Sequence, residues 1–253
     1  MTNNLPLGES AVAVVSAAGS GIGQACVLRL ADRGYRVIAV DIDGAALNRT
    51  VEASPAPGSV RAVEVDVTSD EQVNALVKDV IGHEGAPAIL INVVGGAQLM
   101  NIADMPPALW EAQVRFNLTS TYLMCHAFLP SMIENGGGAI VNTSSGWGFM
   151  PAPGRAAYAA SKAGIVAFSR ALASEVAKDG VRVNVVAPGP IETERMRALT
   201  ENDPLARSKH QQIPVGRLGQ PDEVAAVACF LASAEASFVC GQVVHVNGGV
   251  YMP

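Results

Sequence analysis

Three polar side chains in the middle of the chain follow one another at a spacing that suits proton transfer. Ser145 is followed by Tyr158, and Lys162 comes four residues after Tyr158. The segment around the last two has helical periodicity, which places them on one face, about one turn apart. A phenol beside a fixed positive charge has its pKa lowered from about 10 toward neutrality and can exchange a proton with a substrate oxygen. The spacing therefore predicts an acid/base site, although each residue taken singly also suits an ordinary structural position.

Short apolar runs alternate with helical periods along most of the chain. Seven runs have the length and composition of strands, at residues 11–17, 35–41, 59–67, 88–94, 138–145, 181–189 and 242–249. Helical segments lie between them, including a long one at 106–135 with a break expected near Pro130. Such alternation is typical of α/β proteins. We predict a single doubly wound Rossmann-type domain over residues 1–253, a seven-stranded parallel sheet with helices on both faces.

Residues 190–220 interrupt this alternation. They carry scattered charge and the prolines Pro204 and Pro214, and Pro221 follows them directly. A long irregular insert in a compact domain is usually a functional lid or a mobile loop. We therefore predict a substrate lid at about 190–220.

The composition argues against several kinds of partner. The net charge is −6 and the pI about 5.2, with no basic cluster, so we expect neither nucleic acid nor a membrane as partner. No apolar run approaches the ~20 residues of a membrane span, and the first ten residues lack the features of a secretion signal. The four histidines show no metal-ligand spacing. We expect a cytoplasmic protein that acts on a small molecule and holds no catalytic metal.

A glycine-rich turn follows the first strand. Gly19, Gly21 and Gly23 stand where glycine permits positive φ and lets a pyrophosphate approach the backbone at a helix N-terminus. The spacing is not G-x-G-x-x-G, and ordinary turn chemistry is an equal alternative. Ligands of parallel sheets lie at the carboxyl ends of the strands. Candidate residues fall at six such ends: the turn 16–23, Asp41, Asp66, Asn92, Ser145 and Pro188.

Asp41 stands at the end of the second predicted strand, about 20 residues after the turn. A carboxylate there suits the two ribose hydroxyls of adenosine and repels the 2′-phosphate of NADP. Neither Ser20 nor Ile42 offers a basic side chain to counter that repulsion. The sequence therefore predicts NAD rather than NADP; the alternative is that Asp41 is the N-cap of the next helix.

Further motifs resemble the short-chain dehydrogenase/reductase family, in its common single-domain class, over nearly the whole chain. They are SAAGSGIG near the start, INVVGG at 91–96, FNLTS at 116–120, Ser145 with YAASK, VNVVAPGPIET at 183–193, PVGRLGQPDEVA, and a closing GQVVHVNGG. A chain with four Tyr and few Lys holds a chance Y-x-x-x-K only rarely, and this one follows a serine at the family's spacing.

The resemblance implies hydride transfer between a carbinol carbon and a nicotinamide, with Tyr158 as general acid/base, Lys162 lowering its pKa, Ser145 binding the substrate oxygen and Asn117 supporting a water beside Lys162. It also implies a homotetramer, formed through the helices around 106–134 and 157–178 and the last strand. The predicted cofactor-binding residues are Ala17, Gly19, Ser20, Gly21, Ile22, Gly23, Asp41, Asp66, Val67, Asn92, Val93, Gly95, Tyr158, Lys162, Pro188, Gly189, Ile191 and Thr193.

The chain departs from the family's usual residues in four places. Ser16-Ala17 replaces Thr-Gly, Val93-Val94 replaces Asn-Ala, Cys240 replaces Thr and Asn247 replaces Asp. None of them is a proton-transfer residue. We expect them to affect cofactor affinity rather than the chemistry.

The residues between the serine and the tyrosine predict the substrate less clearly. Trp147, Phe149 and Met150 suit an apolar wall, or simply loop packing. Arg155 suits an anionic substrate group, because a guanidinium binds carboxylates and phosphates, or else a solvated helix start. Likeness to 3-oxoacyl reductases favours an acyl thioester or another acid-bearing substrate by analogy only. A sugar, polyol or cyclic alcohol dehydrogenase is an alternative, and so is a non-catalytic dinucleotide-binding scaffold.

Overall fold

Seven short strands, rich in valine, isoleucine and alanine, form one parallel sheet. They are β1 (Val12–Ser16), β2 (Arg36–Asp41), β3 (Val60–Glu64), β4 (Ile89–Asn92), β5 (Gly138–Thr143), β6 (Val181–Pro188) and β7 (Val243–Val246). Their order is β3-β2-β1-β4-β5-β6-β7, and every neighbouring pair is parallel. Every residue of β1, β5 and β6 is buried, which explains why these strands are continuous apolar runs rather than alternating ones.

The computed structural model describes residues 11–200 and 213–253. Its α-helices are α1 (Gly21–Asp32), α2 (Gly44–Glu52), α3 (Asp70–Glu84), α4 (Pro107–Val114), α5 (Ser120–Glu134), α6 (Ala156–Val176), α7 (Glu194–Thr200) and α8 (Pro221–Ala232). The predicted fold class is confirmed: helices cover both faces of a seven-stranded parallel sheet.

Two apolar clusters lie on opposite faces of the sheet. Ala13 and Val15 of β1 belong to the cluster with α1, α2 and α8, whereas Val12 and Val14 belong to the one with α3, α5 and α6. Successive side chains of a strand point to opposite faces, so each face takes alternate residues. Both faces are covered by apolar side chains, and the candidate ligand groups lie at the ends of the strands.

The order of the strands reverses between β1 and β4. The chain proceeds from β1 outward to β2 and β3, and then returns to place β4 on the other side of β1. The connections leave on opposite sides at this point and open a crevice at the carboxyl ends of the strands. The candidate residues of the sequence are grouped along this edge.

The helical stretch predicted at 106–135 departs from expectation. It is interrupted not at Pro130, which lies within α5, but at residues 115–119, which form a π-helical turn between α4 and α5. Pro130 is accommodated inside a helix that continues to Glu134. A π turn inserts an extra residue and is frequent at functional sites.

Part of the predicted lid is ordered secondary structure. The helix α7 lies within it, and residues 201–212 lie outside the described residues. The two ends of the segment meet: Ile191 and Gly219 form an isolated β-bridge, and Gly219 N donates to the Pro190 carbonyl over 3.0 Å. The two ends of the predicted lid therefore lie together at the sheet edge.

Candidate active site

A cavity of about 280 Å³ opens at the carboxyl edge of the sheet. Twelve predicted site residues line it: Ile22, Val93, Gly95, Ser145, Trp147, Arg155, Tyr158, Lys162, Pro188, Gly189, Ile191 and Thr193. The other ten lie around it or along the crevice: Ala17, Gly19, Ser20, Gly21, Gly23, Asp41, Asp66, Val67, Asn92 and Asn117. The structure thus brings residues from β4, β5, β6, α6 and the lid to one space.

Ser145 follows the end of β5 directly. It is the N-cap of a short 3₁₀ turn, Gly146–Gly148, and its Oγ accepts a hydrogen bond from Trp147 N over 3.3 Å. This bond holds the hydroxyl at the cavity wall. Because the same turn carries Trp147, the position of that ring is tied to the position of the serine.

Tyr158 and Lys162 lie one turn apart on α6. The Lys162 Nζ stands 5.9 Å from the centroid of the Tyr158 ring. It donates to the carbonyls of Thr143, over 2.9 Å, and Val94, over 3.3 Å, so β5 and the loop after β4 fix its position. Tyr158 is half-buried and Lys162 is buried.

Burial lowers the pKa of the Lys162 ammonium to about 7, because the charged form loses its hydration. The sequence suggested a fixed cation at this position. The structure adds that this cation is buried, so its charged form is less favoured than it would be in water.

Asn117 lies in the π turn and does not itself line the cavity. Its Oδ1 accepts from Gly96 N over 2.9 Å, while its Nδ2 donates to the carbonyls of Gly96, over 3.0 Å, and Gln113, over 2.9 Å. The amide therefore holds the loop after β4. That loop lies close to Lys162: a Cβ on Gly95 would come within 2.5 Å of Lys162 Nζ. Asn117 thus holds the loop whose Val94 carbonyl accepts a hydrogen bond from Lys162 Nζ.

The turn after β1 is tightly packed. Gly23 allows α1 to approach the Ala17 carbonyl so closely that a Cβ would meet its oxygen at 2.0 Å, and Gly21 has φ +54°. Ala17 has φ +51°, the left-handed region that favours glycine. Gly19 and Ser20 lie between them. The turn leaves the N-terminus of α1 open to a ligand, so the cradle suits a pyrophosphate.

Asp41 spans the crevice to this turn. Its Oδ2 accepts from Gly19 N over 3.0 Å and its Oδ1 from Asp43 N over 3.1 Å. The N-cap of α2 is Asp43, whose carboxylate accepts from Ala46 N. The alternative that Asp41 caps this helix is therefore wrong. Asp41 instead places a carboxylate against the glycine turn.

Asp66, Val67 and Asn92 have different surroundings. Asp66 Oδ1 accepts from both the backbone N and the hydroxyl of Thr68, and Val67 is buried. The Asn92 amide points into the core, where it donates to Asn142 Oδ1 over 2.9 Å. Any contact of Asn92 with a cofactor would therefore involve its backbone rather than its side chain.

The apolar wall differs from the predicted one. Trp147 lines the cavity, but Phe149 packs on His245 and Tyr251, with ring centroids 4.6 and 5.6 Å away. Neither Phe149 nor Met150 is a lining residue. Leu99 and Met196 take that place. No pattern in the sequence distinguished these two, although Met196 comes three residues after Thr193, at helical spacing.

The four departures from family usage are accommodated mainly by backbone contacts. Ser16 keeps a hydroxyl that accepts from Val93 N. The Val94 carbonyl, which accepts from Lys162 Nζ, belongs to the backbone and does not depend on the side chain at position 94. The Asn247 amide donates to the Tyr251 carbonyl, a bond that an ionised aspartate could not make. Only Ala17 adds strain.

Neither a membrane span nor a metal cluster is found in the part of the chain that the structure describes. No helix among residues 11–200 and 213–253 is long and apolar enough to cross a membrane. Within the same residues, no group of three or more His, Cys, Asp or Glu side chains is arranged to hold a metal ion.

Comparisons with known proteins identify the family of this fold. A family model described as enoyl-(acyl carrier protein) reductase matches residues 16–251. A solved short-chain dehydrogenase/reductase from Burkholderia xenovorans is 37% identical, with a TM-score of 0.90, over 94% of this chain and 95% of that one. The chain belongs to the short-chain dehydrogenase/reductase family. As a member it is an oxidoreductase that acts on a CH–OH or keto group with a nicotinamide dinucleotide.

This dehydrogenase/reductase has close curated relatives. It is 38% identical to the 3-oxoacyl-(acyl-carrier-protein) reductase of Vibrio cholerae and 40% identical to that of Pseudomonas aeruginosa, in each case over 96% of this chain and 98% of the relative. The solved levodione reductase is 31% identical with a TM-score of 0.89, over 95% of this chain and 98% of that one. The relatives thus include proteins named for different ketones.

Proposed function

We propose that the chain interconverts a secondary alcohol and a ketone with NAD(H), and that Tyr158 is its general acid and base. The observation that carries this proposal is the common cavity of Ser145, Tyr158 and Lys162. The bound dinucleotide would accept the hydride in oxidation and donate it in reduction. The turn 16–23, Asp41 and the residues at the end of β6 offer the surfaces that would hold it.

The roles of the side chains follow from their positions. Ser145 binds the substrate oxygen, and the Tyr158 phenol takes the alcohol proton in oxidation and returns one in reduction. Lys162, beneath the Tyr158 ring, favours the phenolate when it is charged. Asn117 is a positioning residue, because it holds the loop that confines the Lys162 ammonium.

Asp41 supports NAD over NADP. Its carboxylate lies against the glycine turn, and the residue that follows it is Ile42, which is exposed and carries no charge. A 2′-phosphate placed beside Asp41 would meet a like charge, and like charges at close range cost several kcal/mol. Ribose hydroxyls would instead donate hydrogen bonds to this carboxylate.

Several substrate classes fit the reaction. The names of the Vibrio and Pseudomonas relatives favour a 3-oxoacyl thioester, and that of levodione reductase favours a cyclic ketone. Oxidation of a sugar or polyol is a third class. A panel of these alcohols and ketones, with turnover followed by NADH absorbance, separates the three classes.

Replacing Tyr158 with Phe tests the assignment of the acid/base. We expect turnover to fall by about 100-fold to 10,000-fold, because the proton route is lost, while the affinity for NADH, measured by fluorescence, stays nearly unchanged. Tyr122→Phe is the matched control, because it removes the hydroxyl of a tyrosine on α5 outside the cavity and keeps the aromatic ring, which stacks on His126. A wild-type rate in Tyr158→Phe would refute the proposal.

We further propose one domain over residues 1–253 with the lid at about 190–220, acting in the cytoplasm as a homotetramer. The joined ends of the segment at Ile191 and Gly219 support the lid. The partly exposed aromatic side chains of Trp110, Phe116 and Tyr122 support a subunit contact along the helices around 106–134.

A further inference from the structure

Arg155 occupies the wall of the cavity, next to the predicted catalytic groups. It is the N-cap residue of α6, three residues before Tyr158, and both side chains line the same space. Its guanidinium carbon lies 4.8 Å from the centroid of the Trp147 ring. A guanidinium stacked on an indole is held in place without using its five N–H donors. Arg155 is therefore oriented by Trp147 and still able to bind a ligand.

The charges around the cavity favour an anion. Among the residues that the structure describes, Arg155 and Lys162 line it and no Asp or Glu does, although the chain as a whole has a net charge of −6. Lys162 Nζ is occupied by two carbonyl oxygens. Within residues 11–200 and 213–253, Arg155 forms no ion pair with a carboxylate of the chain. Among the described residues that line the cavity, Arg155 is therefore the cation that makes no hydrogen bond or ion pair within the chain through its guanidinium.

The size of the cavity restricts the anion. About 280 Å³ is slightly below the ~300–1,000 Å³ of pockets for drug-sized ligands, and the nicotinamide must share this space. A planar carboxylate is smaller than a phosphate and matches the fork of a guanidinium with two parallel hydrogen bonds. The apolar side chains of Leu99, Trp147 and Met196 would cover a short carbon chain. The cavity suits a small molecule with a single carboxylate.

The spacing along α6 sets where that carboxylate lies. Residues three apart at a helix start have Cβ atoms about 5–6 Å apart, so the guanidinium and the phenol reach the same small ligand. We propose that the substrate is a short free hydroxy acid, with one or two carbons between its carboxylate and its carbinol carbon, and that Arg155 binds the carboxylate. This inference rests on the proposed function. An acyl thioester has no free carboxylate and would leave Arg155 without its partner.

The reaction on such a substrate balances with the cofactor named above. The carbinol C–H bond breaks and its hydride passes to NAD, while the O–H proton passes to Tyr158 and a C=O bond forms. Arg155 takes no part in the transfer. It is a specificity-determining residue that fixes the carboxylate, and with it the orientation of the carbinol carbon.

Matched substrates test this inference. The test compares oxidation of 3-hydroxybutanoate and 4-hydroxypentanoate with oxidation of methyl 3-hydroxybutanoate. It also compares reduction of 3-oxobutanoate with reduction of a 3-oxobutanoyl thioester. For the wild type we expect kcat/KM to be at least about 10-fold higher for the acids than for the neutral ester or thioester, since a hydrogen bond to a charged group is lost without the carboxylate.

Arg155→Gln should lower kcat/KM for the acids by about 10-fold to 100-fold, mainly through KM, and spare the ester. Arg155→Lys should recover part of the loss, because it keeps the charge but not the fork. Arg49→Gln is the control, since Arg49 is an exposed arginine of α2 outside the cavity.

Two results would overturn the inference and leave the proposed function standing. One is a wild-type preference for the ester or thioester, or turnover of cyclic alcohols alone. The other is an equal loss of acid and ester activity in Arg155→Gln. By contrast, absence of NAD-linked turnover on every alcohol and ketone tested would refute the proposed function itself.

Discussion

The crevice at the carboxyl edge of the sheet has two ends that are built differently. At the cavity end, buried side chains bind backbone carbonyls: Lys162 Nζ reaches Thr143 and Val94, and the Asn117 amide reaches Gly96 and Gln113. At the turn end, after β1, close backbone approach dominates, and one carboxylate, that of Asp41, joins the turn. One end depends on the position of an ammonium, and the other on backbone conformation and one negative charge.

The difference indicates which kind of change each end tolerates. A shift of the buried Lys162 by a fraction of an ångström changes the distance between its ammonium and the Tyr158 phenol. Proton transfer is sensitive to such displacements. The turn end would bind rather than react, so a change there alters affinity, cofactor choice or stability. Substitutions at the two ends should therefore differ in the size of their effect and in the measured quantity that changes.

Gly95→Ala should have the largest effect. The added Cβ would lie 2.5 Å from Lys162 Nζ and 3.0 Å from Asn117 Oδ1, and the flexible end of the lysine would move aside. We expect kcat to fall by about 100-fold, because a displaced charge no longer supports the phenol. Thermal unfolding followed by circular dichroism should show little change, because the moving atoms belong to a side-chain end.

Gly82→Ala is the matched control for this change. Gly82 lies in α3, and a Cβ there meets no heavy atom within 4 Å. We expect normal activity and about 1 kcal/mol of added stability, because alanine favours a helix over glycine. If Gly95→Ala kept wild-type kcat, the proposed dependence of the cavity end on the position of Lys162 would be wrong.

Many features of the two ends could be predicted from the sequence. The seven apolar runs predicted the strands because parallel strands buried on both faces need continuous valine and isoleucine. The glycine spacing predicted the turn, because close approach and positive φ act locally. Tyr158 and Lys162 were predicted to share a helix face, and they do, since helical spacing alone determines it.

The remaining features depend on contacts between distant segments. The π turn at 115–119 was not predicted, because no residue type marks it, and the prolyl residue that suggested a break lies inside α5. Leu99, in the loop after β4, and Met196, in α7, reach the cavity only through the path of chain segments that local sequence patterns do not position. The lowered pKa of Lys162 was also not foreseen, because burial of that residue depends on the loop after β4.

A change of Asp41 to Asn should have the next largest effect, on cofactor choice. The wild type is expected to prefer NADH to NADPH, because the carboxylate repels a 2′-phosphate. Asparagine keeps an oxygen that can accept from Gly19 N and removes the charge. We expect the ratio of kcat/KM values for the two cofactors to move toward NADPH by about 10-fold to 100-fold.

Asp43→Asn separates this local effect from a general change in charge. Asp43 is the N-cap of α2, and asparagine is an equally good N-cap, so the helix should persist. The cofactor preference should remain as in the wild type. Equal or better use of NADPH by the wild type, or the same shift in both variants, would remove the role assigned to Asp41.

Ala17→Gly should have the smallest effect, and on stability. Among the described residues, Ala17 is the one non-glycine with positive φ, at +51°. A Cβ in this region costs about 1–2 kcal/mol, part of which the greater freedom of unfolded glycine offsets. We expect the free energy of unfolding, from urea titration, to rise by about 0.5–1 kcal/mol.

The sign of this change is what distinguishes the turn end from ordinary helix. Ala45 is an exposed residue of α2, where the backbone is helical, and Ala45→Gly should lower the free energy of unfolding by about 1 kcal/mol. Opposite signs in the two variants would locate the strain in the turn after β1. A loss of stability in both would mean that the Ala17 methyl group contributes more by packing than its backbone conformation costs, and the turn end would then depend on side-chain contacts as the cavity end does.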